Sequence, residues 1–433
     1  MHRAWKAARS PLQGDLFEQR KVTRNIYHDV LKEIQADEER LRAERMMAKL
    51  TGSGFWSEVK AVLGTNKPNP PTTVGDAQGD EAIAEVFREK YHDLYNSVPY
   101  ESDELERISE FINQRIIEQE VAEADHFTGA DVERAVRKLK KGKTDGVSEC
   151  MSDHFMHGTH LLFFHMANLF VKMLYHGHVP NQMKLSTLIP IPKNKRKSMN
   201  DPGNYRAIAL SSILGKILDH SILLKHAESL STCDLQFGFK KSHSTVQCTY
   251  VVNEVVHYYN RHNSDVYAVL LDASQAFDRV HYCKLFALLL KRNLSPVICH
   301  LLLNMYCEQC FKVQWGKTTT ESSTVTNGVK QGGVLSPILF TVYVDEMMSR
   351  LEELKIGCHL GHRFCGALGY ADDVILLSPT ITSMKLMLNC AELFANEYHV
   401  KFNPSKSSCL FFLAQRSIGH CLLPSKSTSS PFP

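Results

Sequence analysis

No apolar run in this chain is long enough to cross a bilayer. The longest, Leu161–Phe164 and Val334–Val344, fall well short of the roughly 20 residues that a membrane helix needs. The opening residues, MHRAWKAARS, lack the apolar segment of a secretory leader. Net charge is nearly absent: 50 Lys and Arg against 47 Asp and Glu give +3. The total therefore does not mark a nucleic-acid binder, and only a segregation of charge along the chain could. Cysteine is present, twelve in all, but scattered as expected of reduced thiols inside a cell. The lone CxxC, Cys307–Cys310, has no second pair and no spaced histidines after it, which argues against a zinc module. There is no internal repeat. What remains is 433 residues, 43% hydrophobic and 22% charged. That is enough for a sizeable core, in two or three domains or one large enzyme fold with an extension.

The chain reads in five stretches. Residues 1–54 form a helical leader, with Val22, Ile26, Val30, Leu31 and Ile34 at helical spacing and a stop at Gly52-Ser53-Gly54. Residues 55–125 begin at Phe55-Trp56, pass through a Pro/Gly-rich loop at Asn66–Gly79, and continue as helices near Asp80–Asn96 and Ser102–Glu120. Residues 126–265 and 266–414 hold the motifs. The tail, 415–433, is Ser/Pro-rich and reads as disordered. Charge is segregated after all. Glu101–Asp125 holds nine acids against two bases, while Arg134–Lys143 and Lys184–Arg206 hold six bases each. Two basic runs beside turns predict a phosphate-facing surface.

Two segments carry carboxylates in telling places. In VYAVLLDASQAFDRV (Val266–Val280), a buried-strand run ends at Asp272 and a helix is expected after the turn. In GYADDVILLS (Gly369–Ser378), Asp372 and Asp373 precede an apolar strand. Gly366–Tyr370 is its expected partner, so the acids fall at a hairpin turn. Acid pairs are common at surface turns, so an ordinary solvated turn is the plain alternative, and carboxylates for structural metal only are a further, poorer one. Three carboxylates converging from two strands can instead hold two divalent cations for nucleotidyl transfer, and magnesium suits such oxygen donors.

These segments resemble palm motifs A and C of reverse transcriptases. Between them, NGVKQGGVLSPILFTVYVDEM (Asn327–Met347) resembles motif B. Ser186–Leu223 resembles fingers motifs 1 and 2, Leu235–Cys248 the block that follows, Lys140–Phe155 an early fingers block, and Val400–Phe412 motif D. The wording is similar to that of non-long-terminal-repeat retrotransposons of the jockey and chicken-repeat type. Group II intron maturases and retron polymerases are poorer matches to AFDRV and GVKQGGVLSPILF. The resemblance spans roughly Phe55–Phe412.

The resemblance implies an α+β right-hand polymerase, mainly fingers over 126–265 and mainly an antiparallel palm sheet over 266–414. It implies Asp272, Asp372 and Asp373 as ligands of two Mg²⁺ ions, with Mn²⁺ as the alternative ion. It implies Lys406 as a general acid for departing pyrophosphate, and Arg206 and Lys193 as contacts to the triphosphate. Phe277, five residues after Asp272, would gate against a 2′-hydroxyl, and Gln331 and Gly332 would approach nucleotide and template. Ser336 would cap the motif B helix with Pro337 at its first position. The partners would be an RNA template, a DNA primer and deoxynucleoside triphosphates, with no membrane, in the nucleus. The departures are Ala207 in NYRAI, Gln275 in the motif A loop, and Lys330 and Gly333 beside motif B; none removes a carboxylate. Endonuclease, thumb and cysteine–histidine knuckle are not recognisable, so a truncated piece is expected. Its two functional readings are an RNA-directed DNA polymerase core and an inactive copy that only binds nucleic acid.

Overall fold

The computed structural model describes residues 14–48, 71–118, 125–145 and 150–414. The expected stop at Gly52–Gly54, the start at Phe55-Trp56 and the 415–433 tail lie outside them. The chain divides into two compact units, 1–70 and 71–433. The described part of the first is one helix, Asp15–Ala48, with Asp15 and Glu18 in its first turn, where acids favour the helix dipole.

In the second unit the expected 66–79 loop is corrected over its described half. Strands β1 (Thr73–Val74) and β2 (Ala77–Gln78) pair as a hairpin. Gly75, at φ +59°, supplies the backbone that so tight a turn needs. Helix Asp80–Leu94 follows and buries Ile83, Ala84, Phe87 and Tyr91 on one face. Helix Ser102–Glu118 buries Leu105 and Ile112.

Beyond a helical layer that includes His160–His176, β3 (Leu185–Pro192) and β4 (Tyr205–Ser211) form a long antiparallel pair. Helices Ile213–Lys225 and Thr245–Arg261 lead to β5 (Val266–Ser274). After helices Tyr282–Lys291 and Pro296–Cys307 come β6 (Cys310–Trp315), β7 (Thr318–Thr319) and β8 (Ser323–Thr324). Helix Ser336–Glu353 leads to β9 (His359–Leu360), β10 (Arg363–Phe364), β11 (Ala367–Tyr370) and β12 (Asp373–Ser378). Helix Ile381–Glu397, β13 (Lys401–Phe402) and β14 (Ser408–Phe412) close the described chain. No described helix is long and apolar enough to cross a membrane.

Besides the two hairpins β1–β2 and β9–β10, these strands form two five-stranded sheets among the described residues. One runs β4-β3-β6-β7 with β8 also on β6. Helix Asp80–Leu94 packs on it through Phe87, which stacks on Trp315 at 5.2 Å and meets Tyr205 edge-on at 4.9 Å. The other runs β11-β12-β5, with β13 and β14 both on the far edge of β5. Strand alternation gives β5 two faces. Val269 and Leu271 enter the main core. Val266 and Ala268 pack beneath helix Thr245–Arg261 with Val255 and Val256.

Two further expectations are corrected. Strand β5 does not end at Asp272 but continues to Ser274, because β13 pairs with Ala273 and Ser274. No regular helix follows directly: Gln275 turns the chain at φ +53°, and Phe277–Arg279 form a single 3₁₀ turn. Ser336 is not the cap of its helix. Leu335 flanks the first turn in a helical conformation, and Ser336 is already inside it and buried.

Candidate active site

The position of Asp272 follows from where its cover runs out. On its face of β5, Val266 and Ala268 are buried, Leu270 is 38% exposed, and Asp272 comes next. Asp373 of β12 stands directly opposite Asp272 in the antiparallel register, so the two carboxylates share a face. Asp372 occupies the second position of the two-residue turn joining β11 to β12. Ala371, the first, sits at φ +60°, a conformation that costs a non-glycine residue and persists where surroundings enforce it.

The enforcing residue is Gln236, which is fully buried. Its side-chain oxygen accepts from the Ala371 N–H at 3.0 Å and the Gly238 N–H at 2.9 Å. Its backbone neighbours complete the clamp: Phe237 N–H donates to Gly369 O at 2.7 Å, and Gly369 N–H to Leu235 O at 2.9 Å. Gln236 falls in the Leu235–Cys248 block, where the sequence gives it no role. Its one signal is an amide side chain amid apolar neighbours.

Crowding leaves an electrostatic mark. Burial, then repulsion from Asp272, raises the carboxyl of Asp372 above its ordinary range. Burial, then Asp372 and Asp272, does the same to Asp373. Lys406 and Arg206 oppose the rise at Asp372. Lys406 lies on the cluster itself, its Nζ 3.2 Å from Asp272 Oδ2. A turn built on Asn403 aims it: Asn403 N–H donates to Asp272 O at 2.8 Å, and the Lys406 and Ser407 N–H groups donate to Asn403 O. Arg206 is exposed on β4. Lys193 donates to Gly203 O at 3.0 Å, and burial, then Arg206, lowers its pKa. Lys90, unnoticed in the sequence, joins this basic wall. It reaches Pro202 O, and burial followed by Lys193 pulls it down to about 8.

Gln331 and Asp278 form the second layer. Gln331 Nε2 donates to both carboxylate oxygens of Asp278 at 2.8 Å, and Gln331 O accepts from Ala209 N–H of β4 at 2.7 Å. Gly332, at φ +112°, leaves no room for a Cβ, which would stand 2.9 Å from Ala209 O. Its close approach is therefore to β4. Phe277 is half-buried and stacks on Phe340 at 4.6 Å, with Phe239 edge-on at 6.2 Å. Asp278 had no assigned role from the sequence. Burial pushes its carboxyl up to about 6, against Gln331, Lys193 and Lys90.

That shift predicts a pH dependence. A folded value above the usual carboxylate value means that the folded chain holds the extra proton between about pH 4 and 6. The cost of ionising Asp278 is then complete above about 6 and absent below about 4. Asp278→Asn is expected to gain on the order of 2–3 kcal/mol relative to wild type at pH 7.5 and little at pH 4. Thermal unfolding of both proteins across this range checks it; an equal difference at both ends would refute it.

Three oxygen-donor carboxylates under mutual repulsion fit a hard divalent cation. The set is open, since an oxygen from each does not come within 4.8 Å of the other two. Cys307 and Cys310 are both half-buried free thiols.

A carboxylate cluster on an antiparallel sheet thus lies beside basic side chains and a glycine-bearing loop. The family model described as reverse transcriptase (RNA-dependent DNA polymerase) matches residues 191–427, more than half of the chain, and the chain belongs to that family. Among curated proteins it is 25% identical over 234 residues to a Pol polyprotein of the type-2 retrotransposable element R2DM of Drosophila melanogaster, covering 54% of this chain and 22% of that one. It is 27% identical over 265 residues to the RNA-directed DNA polymerase of mobile element jockey of the same fly, covering 57% and 27%. It is 22% identical over 409 residues to the 149 kDa protein of transposon TX1 of Xenopus laevis, covering 92% and 31%. The non-long-terminal-repeat assignment is thus met, and the chain spans under a third of these relatives' length. A telomerase structure from Candida tropicalis aligns at TM-score 0.40 and 13% identity over 58% of this chain and 56% of that one.

Proposed function

We propose that the chain is the polymerase core of a retrotransposon reverse transcriptase, adding deoxynucleotides to a primer 3′-hydroxyl on an RNA template. The observation that carries this is that Asp272 lies opposite Asp373, with Asp372 in the adjoining turn, Lys406 on Asp272 and Arg206 close enough to act on Asp372. In this reading the β5-centred sheet within 266–414 is the palm. The β3–β4 pair within 126–265 belongs to the fingers, and the nucleus is where target-primed integration would place the protein.

Asp272, Asp372 and Asp373 would hold Mg²⁺, which supplies activation of the primer hydroxyl and charge neutralisation on the phosphates. Arg206 offers a forked guanidinium to the triphosphate, and Lys193 and Lys90 add point charges behind it. Asp278 fixes the amide of Gln331, so that loop Lys330–Gly333 is set before substrate arrives. Lys406, which lies against Asp272, would give a proton to the departing pyrophosphate oxygen. The Phe277 ring, held by Phe340, would exclude a 2′-hydroxyl by bulk.

Extension of a DNA primer on RNA template with deoxynucleotides and Mg²⁺ tests the reading, with Asp272→Asn as control. Salt-sensitive template binding with no addition above the control would leave only a nucleic-acid-binding chain. Phe277→Ala is expected to raise ribonucleotide use relative to deoxynucleotide use on the order of 10–100-fold, measured as a ratio of kcat/KM values. An unchanged ratio would remove Phe277 from the gate.

A further inference from the structure

Away from the carboxylates, three other side chains meet. Glu101 directly precedes helix Ser102–Glu118, and His281 and Cys283 flank the first residue of helix Tyr282–Lys291. One ligand atom of each lies within 4.8 Å of the other two. His281 is 3% exposed and Cys283 2%, whereas Glu101 reaches solvent. Neither ring nitrogen of His281 has a hydrogen-bond partner. Its ring stacks on that of His399, 5.0 Å away and 20° from parallel, a contact that satisfies no nitrogen. Its backbone N–H is met by the Tyr343 hydroxyl at 3.2 Å, so the imidazole alone is left wanting. Cys283 Sγ lies 3.7 Å from Glu101 O, a weak contact at best. A buried imidazole with two unmet nitrogens calls for an explanation, and a cation between these three groups provides one.

We propose that Glu101, His281 and Cys283 bind one borderline-soft divalent cation of the zinc type, separate from the carboxylate triad. A thiolate, an imidazole and one carboxylate select zinc or cobalt over magnesium. Binding exchanges the Cys283 thiol proton for the metal, and the proton leaves to solvent. Three protein ligands leave the fourth position of a tetrahedral ion to water. The surrounding charge is balanced: Glu104 adds negative potential, Arg279 and Lys284 add positive, and Lys284 is paired with Glu397 at 3.7 Å. The site would pin the start of helix Ser102–Glu118 to the start of Tyr282–Lys291. This inference does not rest on the polymerase reading.

The test is Co²⁺ titration of the full chain after chelation, followed by optical absorption. Wild type is expected to develop a thiolate-to-cobalt charge-transfer band that saturates at one equivalent for this site and is displaced by Zn²⁺. Cys283→Ser should abolish the band, and His281→Ala should weaken binding at least tenfold. Glu101→Gln, at an exposed position, should weaken it measurably. Cys307→Ser and Asp372→Asn should leave the band unchanged. Absence of the band in wild type, its survival in Cys283→Ser, or its loss in Cys307→Ser would each overturn the site.

Discussion

Asp372→Asn is expected to abolish primer extension while leaving the fold as stable as wild type or more so. The loss should reach on the order of 10³-fold or more, the scale of several kcal/mol that a bound cation contributes. Stability moves the other way because burial and Asp272 already penalise the ionised carboxylate. A group whose folded pKa is raised costs stability above that value, and an amide removes the cost. The two readouts, single-turnover extension and thermal unfolding at pH 7.5, separate a catalytic role from a structural one. A variant that loses activity together with stability would show that Asp372 holds the turn rather than the chemistry.

Gly238→Ala is the second large effect. The added Cβ would press on the backbone nitrogen of Ala371 and stand 2.8 Å from its Cα. Neither atom can retreat, because Gln236 and the Tyr370–Asp373 pairing fix the turn. Overpacking of this kind costs about 1–3 kcal/mol, and a displacement near 1 Å at reacting groups costs on the order of 100-fold in rate. The expected result is a loss in kcat near that size with a modest fall in unfolding midpoint. Gln236→Ala should act similarly, since it leaves the buried Ala371 N–H without its acceptor. Here kcat should fall while the KM for deoxynucleotide changes little. A fall in stability alone, with full rate, would reduce the clamp to ordinary packing.

The motifs were legible because they are local. Strand β12 after Asp372-Asp373 and its partner β11 follow from apolar runs on either side of a turn, and the structure pairs them as expected. The order of the blocks carries the family resemblance, which needs no contact between them. What stayed hidden depends on distant partners. Asp272 looked like a strand end because the pairing that extends β5 comes from Lys401 and Phe402. Ser336-Pro337 has the composition of a helix start, yet Leu335 already adopts helical angles. Gln331 was assigned to substrate, and only the fold reveals that its amide is held by Asp278. Gln236, Lys90 and the Glu101–His281–Cys283 cluster join residues far apart in sequence, and no spacing rule reaches that far.

Strand β5 has a consequence for how the chain assembles. Among the described residues its strand partners, β12 on one edge and β13 and β14 on the other, are all made after it. During synthesis an apolar nine-residue strand therefore waits with both edges open, the arrangement most prone to pair with another chain. The last edge closes only when Ser408–Phe412 arrives, and the same event seats Lys406 over Asp272. Chains released before that point would carry all three aspartates on an open-edged sheet, so failed synthesis should collect as aggregate rather than as a slower enzyme.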